Sequence, residues 1–78
     1  MVSDFNENIT FYAFRYALGR KTYASFEVAN YIIYNWDKLS EKTQRLIKKE
    51  IQEAVELGRA GMEMDERKWK QILTLNNK

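Results

Sequence analysis

The side chains that could do chemistry in this 78-residue chain are carboxylates, lysines, arginines and tyrosines, because the sequence contains neither His nor Cys. Thiolate and imidazole zinc sites are therefore excluded. Nucleophilic catalysis by a Ser–His or Cys–His pair and general-base catalysis by histidine are excluded as well. We expect a protein that binds rather than an enzyme, with no cofactor, no metal site and no disulfide.

Three carboxylates lie close together in the sequence, at Glu63, Asp65 and Glu66. An EF-hand loop spreads its calcium ligands over twelve residues around a central glycine, and this spacing does not match it. Helix capping explains the cluster better, because Asp65 can cap a short last helix.

A group of basic and aromatic residues surrounds the end of the first predicted helix. Cations at such an end complement the exposed carbonyl groups, which is the simpler interpretation. Arg and Tyr are also the residue types enriched at the energetic centres of protein interfaces, so the group is a candidate contact patch. Its members are Tyr12, Arg15, Tyr16, Arg20, Lys21 and Tyr23.

A second basic group lies on the third predicted helix and is the alternative nucleic-acid face: Lys38, Lys42, Arg45 and Lys49. Neighbouring glutamates offset these charges, and the net charge of the whole chain is only +2. DNA-binding proteins usually carry a stronger basic excess. A helix-turn-helix is possible at the same place, but its turn has no Gly, and Gln44 falls where a recognition helix needs an apolar residue facing the core.

Apolar residues recur with helical period in four segments, which predicts an all-α fold. The first helix begins near Asn6 or Asn8, ends at Gly19 and is apolar almost all round. A helix of that kind is central in a fold, or faces a core on one side and a partner on the other. The second helix is capped by Thr22 or, preferably, by Ser25.

The core stripe of the second helix is predicted at Phe26, Ala29, Ile33 and Trp36. The third helix follows Ser40 as its N-cap and ends near Gly58. The short last helix buries Trp69, Ile72 and Leu73. These elements predict a compact bundle of three main helices plus a short C-terminal helix.

The chain is predicted to form one domain over residues 1–78, with fraying at Met1–Asp4 and Thr74–Lys78. It shows no signal peptide and no apolar run long enough to cross a bilayer. We therefore expect a cytoplasmic protein without a membrane partner.

A distinctive set of residues begins with the run from Phe11 to Arg20, followed by Thr22 and Tyr23. It continues with Asn35, Trp36, Leu39, Glu50, Ile51, Ala54, Gly58, Gly61, Met62, Asp65 and Trp69. This set resembles a group of small uncharacterised proteins encoded by phages, prophages and other mobile elements, and the resemblance covers most of the chain, from about Phe11 to Leu73. The resemblance implies a phage-type protein in the host cytoplasm that binds and blocks a host process. Inhibitors of CRISPR effectors and of restriction systems are similar in size, which makes counter-defence the expected context.

The favoured hypothesis is thus an inhibitor that binds a host protein or a protein–nucleic-acid complex. The alternatives are a nucleic-acid-binding regulator that uses helix 41–58, and a structural homo-oligomer such as a homodimer. The sequence leaves open which partner, which host system and which oligomeric state apply. It also leaves open whether the basic patch makes the contact or an acidic face does, consisting of Glu50, Glu53, Glu56 and Glu63.

Overall fold

A computed structural model describes residues 5–20, 23–61 and 63–77, with side chains described from residue 65 onward in the last range. The described residues form four α-helices and no strand. The helices are α1 (Glu7–Ala17), α2 (Tyr23–Tyr34), α3 (Glu41–Glu56) and α4 (Glu63–Leu73), and a short 3₁₀ helix (Trp36–Lys38) precedes α3. The expectation of an all-α chain is confirmed.

The helices pack in the order α1, α2, α4, α3 around the bundle, so that each lies against two others. α4 has eleven residues, as many as α1, and therefore forms a full side of the bundle. Its Trp69 is fully buried at the centre, where its ring meets Phe14 of α1 edge-on, with ring centroids 5.5 Å apart. The other buried apolar residues include Ala29, Ile32, Leu39, Ile47, Ile51 and Ile72.

Two helix starts follow directly from their predicted caps. The Asn6 side chain accepts a hydrogen bond from Ile9 N at 3.0 Å, and the Ser40 side chain accepts one from Thr43 N at 3.3 Å. Glu7 joins these two helix ends, because its carboxylate accepts hydrogen bonds from Ser40 N at 2.7 Å and from Thr43 Oγ1 at 2.6 Å. A carboxylate is favourable at this position because the first turn of a helix carries unpaired amide groups and partial positive charge.

Ser25 is not the N-cap of α2, which corrects the prediction. The helix begins at Tyr23, and Ser25 is fully buried in its first turn. Its hydroxyl lies 2.9 Å from Ala17 O and 2.6 Å from Arg20 O, and its single proton can be donated to either carbonyl. The residue therefore ties α2 to the end of α1. The other cap candidate, Thr22, lies outside the described residues.

The buried stripe of α2 consists of Ser25, Ala29 and Ile32. It is turned slightly around the helix axis from the predicted stripe of Phe26, Ala29 and Ile33. Trp36 is buried but belongs to the 3₁₀ helix rather than to α2. Asp65 is likewise not a cap, because α4 already begins at Glu63, and it is buried inside the first turn. Ser25 and Asp65 thus differ from their predictions in the same way, because each is buried inside the first turn of its helix instead of capping it.

Gly19 closes the α1–α2 hairpin in a conformation that requires glycine. Its φ is +87°, and a Cβ atom placed there would lie 2.5 Å from Arg59 O. The backbone that follows α3 thus passes directly over the end of α1.

Residues 75 and 76 of the carboxyl-terminal segment accept hydrogen bonds from side chains of the bundle. Trp36 Nε1 donates a hydrogen bond to Asn76 O at 2.8 Å, and Lys48 Nζ donates one to Leu75 O. Leu75 also packs against the core. Residues Met1–Asp4 and Lys78 lie outside the described part of the chain, so the fraying expected there stays a prediction.

Candidate functional site: a tyrosine-lined groove between α1 and α2

An open groove runs along the outer side of the α1–α2 hairpin. It consists of two adjoining depressions of about 290 and 250 Å³, which share Ala13 and Val28. We name it the tyrosine groove. Its lining includes Ile9, Tyr12, Ala13, Tyr16, Ala17, Ala24, Val28 and Tyr31, with Arg20 towards the end nearer the α1–α2 turn and Glu27 in the other depression.

The spacing of residues in the two helices produces the groove. In α1, Ile9, Tyr12, Ala13 and Tyr16 lie at i, i+3, i+4 and i+7, which places them on one face of a helix. The core stripe of α1 is a different one, centred on Phe14. Since both stripes are largely apolar, α1 presents apolar surface to the core and to solvent.

α2 forms the other side of the groove by the same means. Ala24, Val28 and Tyr31 lie at i, i+4 and i+7, beside the buried stripe that contains Ala29. The floor is therefore made of short side chains, while rings and Ile9 stand at its edges.

The tyrosines of the groove are unusually open to solvent for such large side chains. Tyr12 is 77% exposed and Tyr16 is 64% exposed. Ile9 and Tyr31 extend this surface along the groove, and both are also exposed. Monomeric proteins seldom leave a contiguous apolar surface uncovered, and where they do it commonly marks an interaction site.

Arg20 is held in a fixed position at one end of the groove. Its Nε donates a hydrogen bond to Tyr16 O at 2.7 Å, and its guanidinium carbon lies 4.1 Å from the centre of the Tyr16 ring. The stacking and the hydrogen bond orient the planar guanidinium of this exposed residue, whose remaining N–H groups can donate to an acceptor. Tyr16 and Arg20 thus form one preorganised aromatic–cationic unit.

The structure brings together three of the residues predicted as the contact patch: Tyr12, Tyr16 and Arg20. Tyr23 is exposed nearby at the start of α2, where its ring stacks with Phe26 at a centroid distance of 6.3 Å. Lys21 lies outside the described residues.

Arg15 is placed apart from the other predicted residues. It lines a separate depression between α1 and α3, which it shares with Glu50, Glu53, Leu57 and Arg59. Two residues of the predicted acidic face, Glu50 and Glu53, therefore line the same depression as Arg15. The side chain of Glu63, the last residue of the acidic face, is not described.

The sequence analysis did not predict the residues of the groove floor or those that α2 contributes to the groove. Ala13, Ala24 and Val28 do not attract notice as binding residues, because small apolar side chains are typical of cores. The sequence feature that could have identified them is the number of apolar stripes. α1 and α2 each carry two, and a four-helix bundle buries only one stripe of each helix, so the second stripe remains at the surface.

The alternative basic face is exposed on α3, where Lys42, Arg45 and Lys49 project from one side of the helix. Arg45 is engaged by Glu41 in an ion pair at 2.7 Å, so part of the basic charge is offset within the helix. Lys38 belongs to the 3₁₀ helix instead, and its ammonium group lies 5.9 Å from the centre of the Phe5 ring.

Gln44 faces the core, at the position where a helix-turn-helix would place an apolar side chain. It is fully buried, and its Nε2 donates a hydrogen bond to Trp36 O at 2.8 Å. The amide thus fixes the 3₁₀ helix onto α3 and has a structural role.

Comparison with known proteins finds no match: no protein family, no curated protein sequence and no solved structure is significantly similar to this chain. Among the described residues, no helix combines the length and the apolar character needed to cross a membrane. Within the same residues, no three acidic side chains come together in a way that could hold a metal ion.

Proposed function

We propose that this protein acts by binding another protein through the tyrosine groove, without catalysing a reaction. Following the resemblance to small phage and mobile-element proteins, the proposed partner belongs to a host process that binding inhibits, with a defence complex as the favoured target. The observation that carries the proposal is the exposed row of rings above a floor of small side chains.

The residue types in the groove are those that bind proteins tightly at low entropic cost. A tyrosine supplies a large, rigid contact area and a hydroxyl group while only two side-chain torsions become fixed. Arg20, already oriented on Tyr16, can donate hydrogen bonds to a carboxylate of the partner with little further ordering. We therefore expect the partner to present an apolar ridge with an acidic group at the Arg20 end.

The composition of the groove supports binding over catalysis. Its described lining contains two charged residues, Arg20 and Glu27, which line different halves of the groove. Between them the surface is almost entirely apolar. A nucleophile paired with a base, the arrangement from which covalent catalysis is built, is not found among these lining residues.

The test is affinity capture from host lysate, followed by identification of the captured protein. A Tyr12→Ala/Tyr16→Ala variant should lose at least tenfold in captured partner, because hot-spot rings each contribute on the order of 1–2 kcal/mol. The matched control is Tyr34→Ala, which removes a ring that is 89% exposed and lines a neighbouring depression of α2 instead of the tyrosine groove. Equal capture by the folded double variant and the wild type would refute the proposal.

Direct nucleic-acid binding is the second candidate, favoured by the exposed Lys42, Arg45 and Lys49 on α3. Such binding would weaken steeply with added salt, because each neutralised phosphate releases counterions. A titration with generic duplex DNA at low salt tests it, with Lys42→Glu/Lys49→Glu as the variant that should bind more weakly. Absence of binding at low salt excludes this candidate.

A further inference from the structure

We infer that a second copy of the chain covers the tyrosine groove in a symmetric, weak dimer, so that self-association competes with partner binding. The inference concerns regulation of the surface used in the proposed function and rests on that proposal. The dimer itself can be tested without any partner.

The charges of the groove are arranged for self-association. Arg20 lines one depression and Glu27 lines the other, and the apolar stretch at Ala13 and Val28 joins them. A two-fold axis midway between two groups of opposite charge brings each group onto the partner's copy of the other. The pairing would occur twice in one interface, and the apolar surface between would be buried in the same step.

The shape of the groove is suited to the same arrangement. Ala13, Ala17 and Ala24 leave space on the floor, while Tyr12 and Tyr16 project from the adjoining edge. In a face-to-face dimer, the rings of one copy can enter the space above the alanines of the other. Interlocking of this kind is what gives stable interfaces their high packing density.

The available area predicts that the dimer is weak and reversible. With about 150–250 Å² for a fully buried ring, the exposed parts of Tyr12, Tyr16 and Tyr31 together amount to roughly 400 Å² on each copy. Ile9 and the floor add further area. The surface buried on both copies together then comes near the roughly 1,200 Å² that separates weak interfaces from those of standard size. A dimer of this size can dissociate when a better partner is present.

The experiment is a charge exchange, followed by sedimentation velocity over a dilution series up to about 1 mM. Wild type should show a reversible monomer–dimer equilibrium. Arg20→Glu and Glu27→Arg should each dimerise at least tenfold more weakly, because both symmetric contacts become repulsive. An equimolar mixture of the two variants should dimerise again, since each contact then pairs opposite charges.

Several controls make the result specific to this face. Lys42→Glu changes the charge of the chain by the same amount as Arg20→Glu but lies on α3, and it should leave the equilibrium unchanged. Acetylation of tyrosines should slow at Tyr12 and Tyr16 as concentration rises and stay constant at Tyr34. Circular dichroism of each variant confirms that it is folded.

A wild type that remains monomeric at the highest concentration overturns the inference, and so does a mixture of the two folded variants that fails to associate. Either result leaves the proposed function intact, because that proposal depends on capture of a host protein by Tyr12 and Tyr16. Conversely, loss of the proposed function would leave the dimer measurement unaffected.

Discussion

α1 and α3 lie side by side in the bundle, but they distribute their apolar residues differently. In α3 the fully buried positions include Ile47 and Ile51, and the opposite face is mostly charged. In α1 the buried Phe14 is matched by exposed apolar side chains on the outer face, above all Tyr12 and Tyr16. The pattern of α3 is explained by the fold alone, whereas the outer stripe of α1 contributes nothing to the core. This difference is the observation on which the proposal of a binding role for the outer stripe of α1 rests.

The largest expected effect comes from the buried side of α1. Phe14→Ala should lower the free energy of unfolding by about 3–5 kcal/mol, because it leaves a cavity against Trp69. In a domain of this size, such a loss leaves little or no folded protein at room temperature. Urea denaturation followed by circular dichroism measures the change.

Phe14→Leu serves as the control for that variant, since it keeps most of the buried volume and should cost much less. A Phe14→Ala protein as stable as the wild type would show that the two faces of α1 do not differ in the way described.

The hairpin that aligns α1 with α2 should be the next most sensitive element. Gly19→Ala combines a φ of +87° with a contact of 2.5 Å to Arg59 O, and we expect a loss of about 1–3 kcal/mol. Gly58→Ala is the matched control, because Gly58 also has a positive φ of 69° but has no atom within 4 Å of the added Cβ. Thermal unfolding of both variants separates the cost of the steric clash from the cost of the positive φ. Equal losses of stability in the two variants would mean that the clash has no cost.

The link between α1 and α3 should have a smaller effect. Glu7→Gln removes the negative charge that accepts hydrogen bonds from Ser40 and Thr43, and about 1–2 kcal/mol of stability should be lost. Glu41→Gln, which breaks an exposed ion pair with Arg45, should cost only a few tenths of a kcal/mol. Chemical denaturation of the pair measures the difference, and the account of this link fails if both variants lose the same small amount.

The smallest expected effect lies on the outer face. Tyr12→Ala should change the free energy of unfolding by less than about 0.5 kcal/mol, because the ring is mostly in solvent and forms no part of the core. The same denaturation experiment checks it. A loss comparable to that of Phe14→Ala would mean that the outer stripe is structural, which would remove the reason to assign it to binding.

Local signals were sufficient to predict the four helices and two of their caps. Asn6 and Ser40 cap because a side-chain oxygen at that position accepts from the backbone three residues on, whatever surrounds it. Ser25 and Asp65 have the same local chemistry, but each is buried inside the first turn of its helix, where Ser25 bonds to the end of α1. No local pattern contains that information.

The candidate site was predictable to the same extent. Tyr12 and Tyr16 lie on one face of α1, and Arg20 follows the end of that helix at the same spacing of four residues. This spacing brings the three side chains together. Arg15 lies on a different face of α1 from Tyr12 and Tyr16, and α3 packs along that side, so that Glu50 and Glu53 line the same depression as Arg15. The floor residue Ala24 belongs to the site because α2 packs back against α1. This tertiary contact cannot be predicted from composition or from the helical periodicity of apolar residues.

The central claim is that the tyrosine groove binds a partner while contributing little to the fold, and one variant tests both parts. Ala24 is exposed on the floor, so Ala24→Arg should fill the groove and leave the free energy of unfolding within about 0.5 kcal/mol of wild type. Gln52→Arg adds the same charge to the exposed face of α3 and is the control. Binding of both variants to the purified captured partner should show at least a tenfold loss for Ala24→Arg and none for Gln52→Arg. Unchanged affinity of a stable Ala24→Arg protein would contradict the account.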